Sequence, residues 1–491
     1  METKTVRVSQ GKVLGVKIKN VWVWQGIPYA RPPVGELRFR RAQPPEKWQD
    51  TYRAIKQKAF CPQANMKHKA QSEDCLTLNI WSPFKGAEKK AVLFYVHGGS
   101  FCSGSGNEAQ YNGAKLAASG DVIVVTFNYR LGALGFLDFS FLGDSFETNC
   151  GLSDVLAALR WVHANIRAFG GDPRNITVVG QSAGGIMASA LLTSPEAQPY
   201  ISRAIVMSGG PVWMHTPERA HEIAREFMAY MKIGSAGELR SMPAKELVAK
   251  QKKFIARCRQ GEGTFSIVVD GDMMSDFPIP AARRGACGNI PVLIGNTREE
   301  LSFASSDLAS RFMVVRDIAL GIFWSEPRQI RARLTAAYSR YGKRAQGMMI
   351  SDYIFKITSL WFAQTRCAFA DTWMYRFDYA PPALRMTKLN AVHSVDISFL
   401  FGNHEVAPGI FMYLLLPFLS RIRRITKELQ GDFTTFAKTG ALPWPKCQGK
   451  TAPAKCYDAI CELRPMIDPA IVDGHKKSEF KRKCFAGIPV V

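Results

Sequence analysis

The sequence predicts an α/β protein in which helices cover both faces of a central, mostly parallel twisted sheet. Three observations carry this prediction. Strand-like and helix-like segments alternate along most of the 491 residues, as layered α/β architectures require. The strand candidates are short, continuous apolar runs, which is the pattern of parallel strands buried on both faces. No internal repeat or low-complexity linker breaks the alternation, so we predict one domain over residues 1–491.

Local patterns predict the individual elements. Continuous apolar runs predict buried strands at residues 91–96, 122–127 and 176–179, with later strands at 292–294 and 373–379. Apolar residues at helical spacing, ended by two glycines, predict a helix over residues 152–169, and small apolar residues predict another over 183–192. Residues 301–365 are rich in arginine, methionine and aromatic residues. We predict that this region is mainly helical and forms a lid-like insertion.

Composition and charge narrow the class of protein. A chain that is 47% hydrophobic and 21% charged is globular, which excludes disordered and collagen-like chains. The net charge of +23 raises nucleic acid, anionic membranes and acidic substrates as partners. The basic residues are scattered, however, and no recognised nucleic-acid-binding module surrounds them. We therefore predict a solvated basic surface and no nucleic-acid partner.

Several common motifs are missing. The amino terminus lacks the apolar core of a secretory signal, and no apolar run reaches the roughly 18 residues of a membrane span, so we predict a cytoplasmic protein. The 11 cysteines form no CxxC pair or zinc-ligand array, and we find no phosphate-binding or dinucleotide fingerprint. We predict neither a metal nor a cofactor.

The apolar run at residues 410–419 is followed at once by the basic segment 421–427. Such a juxtaposition is typical of segments that touch anionic lipid, so we hypothesise weak contact with an anionic lipid surface. A buried helix with a solvated basic end is the alternative interpretation.

Residues 180–184, Gly-Gln-Ser-Ala-Gly, have the pattern of a nucleophilic serine on a strand-to-helix turn. The strand predicted at 176–179 precedes the motif, and the helix predicted at 183–192 follows it. Ser182 would adopt a strained backbone conformation, and side chains at both glycine positions would clash. A glycine-rich turn with an inert serine is the alternative.

A nucleophilic serine needs a base, and the oxyanion it generates needs hydrogen-bond donors. Residues 97–100, His-Gly-Gly-Ser, follow the strand predicted at 91–96. Flexible glycines at this position can direct backbone N–H groups into the site. For this loop taken alone, a plain glycine turn is the alternative.

With these motifs the sequence resembles the type-B carboxylesterase family of α/β-hydrolases. Residues 169–184 are similar to the family's active-site signature and residues 72–81 to its second signature, and further matching blocks lie at 26–39, 128–132 and 151–154. The resemblance extends over about residues 5–445 and is weakest within 301–365. It implies the α/β-hydrolase fold and small-molecule ester substrates, and leaves monomer and homodimer both open.

The resemblance implies a catalytic triad of Ser182, Glu300 and His393, in the chain order nucleophile, acid, base. Glu300 ends a Gly-x-x-x-Glu-Glu segment at 295–300, in which Glu299 is the rival for the acid. His393 precedes an acidic residue and a Phe-Leu-Phe-Gly stretch at 399–402, as in the family.

The same resemblance implies that the backbone N–H groups of Gly99, Ser100 and Ala183 form the oxyanion hole. Phe101 and Trp213 are candidates for walls of the substrate pocket, with simple packing as the alternative.

Two departures from the family pattern stand out. Gln181 occupies a position where relatives often carry Glu, which removes a negative charge beside the triad. The resemblance places Gly210 where relatives carry a serine that supports the triad, so we expect one orienting hydrogen bond to be missing. Cys61 and Cys75 flank a loop that many relatives close with a disulfide, although free thiols are the alternative.

These observations predict a serine hydrolase that acts on small to medium, uncharged carboxylic esters through an acyl-enzyme. An amidase or carbamate hydrolase with the same triad is the nearest alternative. A non-catalytic, adhesion-type relative of the fold is a more distant one.

Overall fold

A mostly parallel β-sheet forms the centre of the structure. The computed structural model describes residues 2–64, 69–84, 89–255, 257, 263–301, 313–406, 419–449 and 452–488. Within these residues 13 strands form one sheet, and two short strands pair separately. The strands are β1 (Thr3–Val8), β2 (Gly11–Ile18), β3 (Val21–Pro28), β4 (Tyr52–Arg53), β5 (Thr77–Pro83), β6 (Lys90–Val96), β7 (Ile123–Phe127), β8 (Gly171–Gln181), β9 (Arg203–Met207), β10 (Met214–His215), β11 (Ile267–Val268), β12 (Val292–Thr297), β13 (Thr372–Phe377), β14 (Pro453–Tyr457) and β15 (Glu462–Pro465).

The order of strands across the large sheet is β1-β2-β3-β5-β7-β6-β8-β9-β12-β13-β14-β15, with β4 beside β2. From β7 to β14 all neighbouring strands are parallel, for example β6 with β8 and β12 with β13. Antiparallel pairing closes both ends of the sheet, through β1, β2, β3 and β5 at one end and β15 at the other, whereas β4 pairs in parallel with β2. The predicted mostly parallel sheet is confirmed, and the strands predicted from apolar runs coincide with β6, β7, β8, β12 and β13.

Strand β6 shows why these runs are continuously apolar. Alternate residues of the strand belong to two different hydrophobic cores, one on each face of the sheet. Val92, Phe94 and Val96 face the larger core, whereas Leu93 and Tyr95 face the smaller one. Because both faces are covered, every position of the strand is buried, and the alternation of polar and apolar residues disappears.

Helices pack on both faces of the sheet. They are α1 (Ala114–Gly120), α2 (Ala133–Phe136), α3 (Cys150–Asn165), α4 (Ala183–Thr193), α5 (Pro217–Met231), α6 (Ala236–Ser241), α7 (Ala244–Ile255), α8 (Pro278–Arg283), α9 (Met313–Ser325), α10 (Arg328–Tyr338), α11 (Ala345–Ser351), α12 (Ile357–Arg366), α13 (Pro382–Met386), α14 (Val395–Phe401), α15 (Leu419–Thr439), α16 (Pro469–Gly474) and α17 (Glu479–Ala486). The helix predicted at 152–169 is α3 followed by a 3₁₀ turn, and it ends at Gly170 with φ of 92°.

The connection between β12 and β13 holds four helices, α9 to α12, in its described part. Residues 302–312 of the predicted lid-like insertion lie outside the described residues. Between α11 and α12 the chain makes one π-helical turn, Asp352–Lys356, which we call the π-bulge.

The proposed lipid-contacting run, residues 410–419, falls almost entirely outside the described residues, which resume at α15. Among the helices that the structure describes, none combines the length and the apolar character needed to cross a membrane.

Candidate active site

Three chain segments converge at the carboxyl ends of the central strands. Ser182 follows β8 directly, Glu300 lies three residues after β12, and His393 lies in the loop after β13. Because neighbouring parallel strands end at the same edge of a sheet, side chains from distant parts of the chain meet there. The loop after β6, with the His-Gly-Gly-Ser sequence at 97–100, ends at the same edge.

Ser182 occupies a sharp turn between β8 and α4. Its φ and ψ angles are 57° and −123°, a strained conformation for a residue with a side chain. A Cβ on Gly180 would lie 2.0 Å from the carbonyl oxygen of Gly184, and a Cβ on Gly184 would lie 2.1 Å from the carbonyl oxygen of Val96. Both glycines are therefore needed for the close approach of strand, helix and loop.

His393 and Glu300 form a direct pair. The Nδ1 atom of His393 lies 2.5 Å from Oε2 of Glu300, and the backbone N–H of His393 donates to the carbonyl oxygen of Glu300 at 2.9 Å. The other carboxylate oxygen, Oε1, accepts hydrogen bonds from the Ser208 hydroxyl at 2.7 Å and the Thr297 N–H at 2.8 Å. The carboxylate is therefore fixed in position by donors from three chain segments.

These contacts also determine the charge of Glu300. Complete burial raises the pKa of a carboxyl group, because the charged form loses its hydration. Here that effect is outweighed by the neighbouring His393 and by hydrogen bonds from His393, Ser208 and Thr297, so the pKa of Glu300 lies below its ordinary value. An ionised Glu300 orients the imidazole with Nδ1–H toward itself, which leaves Nε2 to act as a base.

Glu299, the rival for this position, has different partners. One of its carboxylate oxygens is 2.6 Å from Nη1 of Arg344, and the other accepts from the Asn390 side chain at 2.9 Å. The structure therefore brings Glu300, and not Glu299, to the imidazole.

The loop after β6 is held in an unusual conformation beside Ser182. Gly99, Ser100 and Phe101 all have positive φ angles, and a Cβ on Gly99 would lie 2.1 Å from the backbone of Ser103. The ring of His97 stacks on Tyr129 at 4.2 Å, and burial lowers the pKa of His97 to about 4. A neutral His97 can donate from Nδ1 to the carbonyl oxygen of Gly98, 2.8 Å away, and this hydrogen bond stabilises the loop.

A cavity of about 410 Å³ opens over these groups. Ser182 and His393 line it, together with the predicted oxyanion residues Gly99, Ser100 and Ala183. The predicted pocket residues Phe101 and Trp213 line it as well: Phe101 is buried against Phe136, and the Trp213 Nε1–H donates to the carbonyl oxygen of Ile354 at 3.1 Å. The predicted triad, oxyanion and pocket residues thus all line one cavity, except Glu300, which pairs with His393 of that lining.

The charge of this cavity differs from that of the whole molecule. Among the described residues that line it there is no lysine or arginine, and the one carboxylate is Glu108. Burial raises the pKa of Glu108, while hydrogen bonds from Gln110 and Ser105 partly counter the effect. The walls are otherwise mainly apolar, with aromatic rings from Phe265 and Phe355. The net charge of +23 is therefore carried elsewhere.

Comparison with known proteins places the chain in a family. The model of the carboxylesterase family matches residues 2–455. The para-nitrobenzyl esterase of Bacillus subtilis (strain 168) is 35% identical over 504 aligned positions, which cover 99% of each chain.

This chain belongs to the carboxylesterase family.

Solved structures agree with this assignment. A PNB esterase structure matches with a TM-score of 0.85 at 31% identity, over 98% of this chain and 99% of its own. A Geobacillus stearothermophilus carboxylesterase matches with a TM-score of 0.83 at 33% identity, over 95% and 98%. The chain thus has the α/β-hydrolase fold and is a serine carboxylic-ester hydrolase.

One expectation for this carboxylesterase is wrong. We expected the hydrogen bond that supports the triad to be missing, because we aligned the supporting serine with Gly210. The bond is present and comes from Ser208, whose hydroxyl donates to Glu300. Gly210 serves another purpose, because a Cβ there would lie 2.3 Å from the Thr358 hydroxyl and 2.9 Å from the Ile354 carbonyl oxygen. The supporting serine lies two residues before the expected position, in the loop after β9.

Gln181 lies beside His393, the predicted base. Its side-chain nitrogen donates to the Ser394 hydroxyl at 2.7 Å and lies 3.2 Å from Nε2 of His393. A neutral amide at this distance adds no negative charge next to the imidazole, which is the consequence expected for glutamine at this position.

Sequence reasoning did not single out Asp396 or Phe355. Asp396 is fully buried at the start of α14, and its Oδ2 accepts from the Tyr375 hydroxyl at 3.1 Å. The ring of Phe355 stacks on the imidazole of His393, with centroids 4.5 Å apart and an interplanar angle of 21°. Asp396 lay within the matched histidine motif and could have been found there; nothing in the sequence indicated the stacking.

Two ion pairs and a disulfide connect separate segments of the fold. Arg38 binds Glu73, and Arg130 lies 2.7 Å from Asp154, both as buried or largely buried ion pairs. Cys61 and Cys75 are joined in a disulfide. In the described part of the chain no cluster of three or more His, Cys, Asp or Glu side chains is placed to hold a metal ion.

Proposed function

We propose that this carboxylesterase hydrolyses small to medium, uncharged esters through an acyl-enzyme on Ser182, with His393 as the base and Glu300 as the orienting acid. The observation that carries the proposal is the 2.5 Å contact between His393 and Glu300 beside the cavity that Ser182 lines. An imidazole fixed by an ionised carboxylate is the base that a serine hydroxyl needs.

The reaction then proceeds in two halves. The Ser182 oxygen attacks the ester carbonyl carbon while its proton passes to Nε2 of His393. The tetrahedral intermediate collapses as the imidazolium returns the proton to the leaving alcohol, which breaks the ester C–O bond. Water then attacks the acyl carbon as its proton passes to His393; the bond between Ser182 and the acyl group breaks, the imidazolium returns the proton to the Ser182 oxygen, and the carboxylic acid leaves.

The oxyanion of each intermediate needs backbone donors. The N–H groups of Gly99, Ser100 and Ala183 supply them in this proposal, which is supported by the position of all three residues in the lining of the cavity beside Ser182. The positive end of α4 adds to the stabilisation.

The lining of the cavity supports uncharged esters as substrates. A volume of about 410 Å³ with aromatic and aliphatic walls suits a compact acyl and alcohol group. No lysine or arginine of the described lining could pair with an anionic substrate, so a carboxylate group would lose its hydration without compensation. An amide or carbamate fits the same machinery and is the second candidate.

The decisive experiment compares Ser182→Ala with Ser189→Ala, a buried serine on the same helix whose hydroxyl donates to Gly185. We expect turnover of p-nitrophenyl butyrate by the wild type and by Ser189→Ala, and a loss of about 10⁴-fold or more in kcat for Ser182→Ala. A fluorophosphonate probe should label Ser182 in the first two proteins. Turnover unchanged in Ser182→Ala would contradict the proposal, and faster hydrolysis of a matched anilide than of the ester would favour the amidase.

Residues 301–365 cap this site in the proposal, within a single domain spanning 1–491. Leu301, Ile318, Ile354 and Phe355 from this region line the cavity, which supports the assignment. Cytoplasmic location, a monomer or homodimer, and weak contact of residues 410–419 with anionic lipid stay predictions from the sequence. Co-sedimentation with phosphatidylglycerol vesicles and light scattering test the last two.

A further inference from the structure

The π-bulge is an unusual piece of backbone close to the candidate active site. It spans Asp352–Lys356 and joins α11 to α12 without a break in the helical path. Single π-helical turns are rare, because they replace the favourable α-helical hydrogen-bond pattern, and they are frequent at functional sites. The contacts of this turn explain both its stability and its proximity to the site.

A buried ion pair closes the π-bulge. The ammonium group of Lys356 lies 2.6 Å from a carboxylate oxygen of Asp352, and the two side chains are only 5% and 1% exposed. The hydroxyl of Tyr338 donates to the other oxygen of Asp352 at 2.9 Å. Burying two charges is costly even when they pair, so such a pair is better explained by the geometry it enforces than by stability.

The same segment forms hydrogen bonds with the loop that carries Glu300. The Lys356 ammonium donates to the carbonyl oxygen of Arg298 at 2.9 Å. Ser351, the last residue of α11, donates to the carbonyl oxygen of Glu299 at 2.9 Å and accepts from the N–H of Leu301 at 3.0 Å. Backbone groups on both sides of Glu300 are thus bound to the π-bulge or to the residue just before it.

The π-bulge also reaches the base. Phe355 lies face to face with the imidazole of His393, which Glu300 holds by its edge. The neighbouring carbonyl of Ile354 accepts from Trp213, and Gly210 allows this backbone to approach, since a Cβ there would meet Ile354 and Thr358. Side chains from this one helical turn therefore contact the loop that carries Glu300 and the imidazole ring of His393.

We propose that the π-bulge is the positioning device of the acid–base pair: Lys356 fixes the loop of Glu300, and Phe355 fixes the plane of the His393 imidazole. Both are positioning residues, since they act through Glu300 and His393. The inference rests on the roles proposed above for these two residues. It explains why the chain between α11 and α12 forms a π-helical turn and contains a buried ion pair, both of which cost free energy.

The first experiment removes the ring. In Phe355→Leu we expect kcat for p-nitrophenyl acetate to fall roughly 10- to 100-fold per active site, because the imidazole is less well oriented. KM should change little, since the small acyl group needs no contact with the ring. Phe355→Tyr keeps the stacking face and should retain most of the activity. Active sites are counted with a phosphonate inhibitor, so that unfolded protein does not enter the rate.

Phe265→Leu is the matched control, because Phe265 is a phenylalanine of the same cavity wall. Its KM for larger esters is expected to change, while kcat for the acetate falls far less than in Phe355→Leu. Equal losses of kcat in both variants, or a loss of titratable sites in Phe355→Leu with normal turnover of those remaining, would overturn the positioning role.

The second experiment removes the ion pair as a unit. Asp352→Asn with Lys356→Met avoids leaving one buried charge unpaired. We expect a lower kcat, and an acid limb of the kcat/KM profile that moves to lower pH, because a looser Glu300 stabilises the imidazolium less. The control is Lys90→Met with Asp121→Asn, a Lys–Asp pair at the opposite end of β6, which should change neither. An unshifted acid limb in the first double variant would overturn the proposal.

Failure of this inference is distinguishable from failure of the proposed function. If the triad assignment is wrong, Ser182→Ala retains activity. If only the positioning role is wrong, Ser182→Ala is inactive, while Phe355→Leu and the Asp352/Lys356 double variant behave like their controls.

Discussion

The hydroxyl of Ser208 is one of the hydrogen-bond donors that keep the carboxyl group of Glu300 ionised. Glu300 is completely buried, and its ionised form depends on donors that replace water. Ser208 supplies one of these donors from the turn after β9, with φ of 47° and its own N–H bound to the carbonyl of Gly295. The serine is held in place by the sheet, so its hydroxyl is already oriented before substrate binds.

We expect Ser208→Ala to lower kcat about 10-fold, because a hydrogen bond to a charged, buried group contributes roughly 1.5–3 kcal/mol. A carboxylate with one hydrogen bond fewer is more basic and stabilises the imidazolium more, so the acid limb of the kcat/KM profile should also move to higher pH. Steady-state rates between pH 5 and 9 measure both effects. Ser194→Ala, which removes another fully buried hydroxyl, serves as the control and should leave the profile unchanged. Identical profiles for the two variants would contradict the role of Ser208.

At the scale of elements, the strand-to-helix turn depends on the packing of three backbones. Strand β8, helix α4 and the end of β6 approach so closely that Gly184 leaves no room for a Cβ beside Val96 and His97. The obstacles are backbone carbonyl groups, which cannot move without disturbing the sheet. The turn and the neighbouring loop at 97–100 are therefore one packed unit.

We expect Gly184→Ala to displace Ser182 from this loop and to lower kcat/KM by about 100-fold or more, the effect of a shift near 1 Å. Gly237→Ala is the matched control, since a Cβ at this position of α6 meets nothing within 4 Å. In a helix, alanine is favoured over glycine by about 1 kcal/mol, so the control should be active and slightly more stable. Esterase rates and thermal midpoints test the pair. A fully active Gly184→Ala would show that the turn tolerates the displacement.

The elements also show what the sequence could and could not predict. The need for Gly180 and Gly184 could be predicted because it arises from the local geometry of the strand-to-helix turn. The central strands could be predicted because burial on both faces makes every position apolar. Ser208 was missed because a loop of small residues after β9 offers no periodicity to fix the alignment. The π-bulge could not be predicted, since its hydrogen-bond pattern depends on the ion pair of Asp352 and Lys356 and on contacts with residues 298–301. The stacking of Phe355 on His393 could not be predicted either, because the two residues are far apart in the sequence and meet only in the folded protein.

At the scale of the whole molecule, the net charge of the chain differs from the charge of the cavity lining. The chain carries +23, yet the described lining of the cavity holds no basic side chain and one carboxylate, Glu108. The long-range field of the surface attracts anions, but the cavity gives them no partner. We therefore expect the surface charge to have little influence on substrate preference.

This separation predicts the effect of substrate charge. We expect p-nitrophenyl butyrate to react at least about 10-fold faster, in kcat/KM, than p-nitrophenyl hemisuccinate, whose carboxylate would be buried without a counter-ion. For the butyrate, rates at low and high NaCl should agree within about twofold, since a neutral ester is not steered by charge. Preference for the hemisuccinate, lost in high salt, would show instead that the basic surface selects the substrate.

Stability of the whole fold should depend on pH through Asp396. Burial, and then repulsion from Glu300, raise the pKa of Asp396 to about 7 from an ordinary value of 3.8. Below about pH 4 the folded and unfolded chains both hold the proton. Between pH 4 and 7 only the unfolded chain releases it, so the free energy of unfolding falls as pH rises, by roughly 4 kcal/mol in total.

Asp396→Asn removes this penalty, because the neutral amide resembles the protonated acid and can still accept from Tyr375. We expect the variant to unfold at a higher temperature than the wild type at pH 8, with the difference shrinking toward pH 4. The exposed Asp144→Asn is the control and should show no such pH-dependent gain. Thermal midpoints across this range decide the matter, and a gain that is equal at pH 4 and pH 8 would rule out titration of Asp396 as its cause.

The assembly of the site from distant strand ends has a consequence for synthesis of the protein. Glu300 and His393 are 93 residues apart, and Ser182 precedes both. Domains fold as the chain emerges from the ribosome, and pairing of distant strands is slow. A nascent chain that has already formed the turn of Ser182 still lacks its base until the loop after β13 has emerged and docked. We therefore expect Ser182 to react with esters only after this loop has docked, when the sheet is nearly complete.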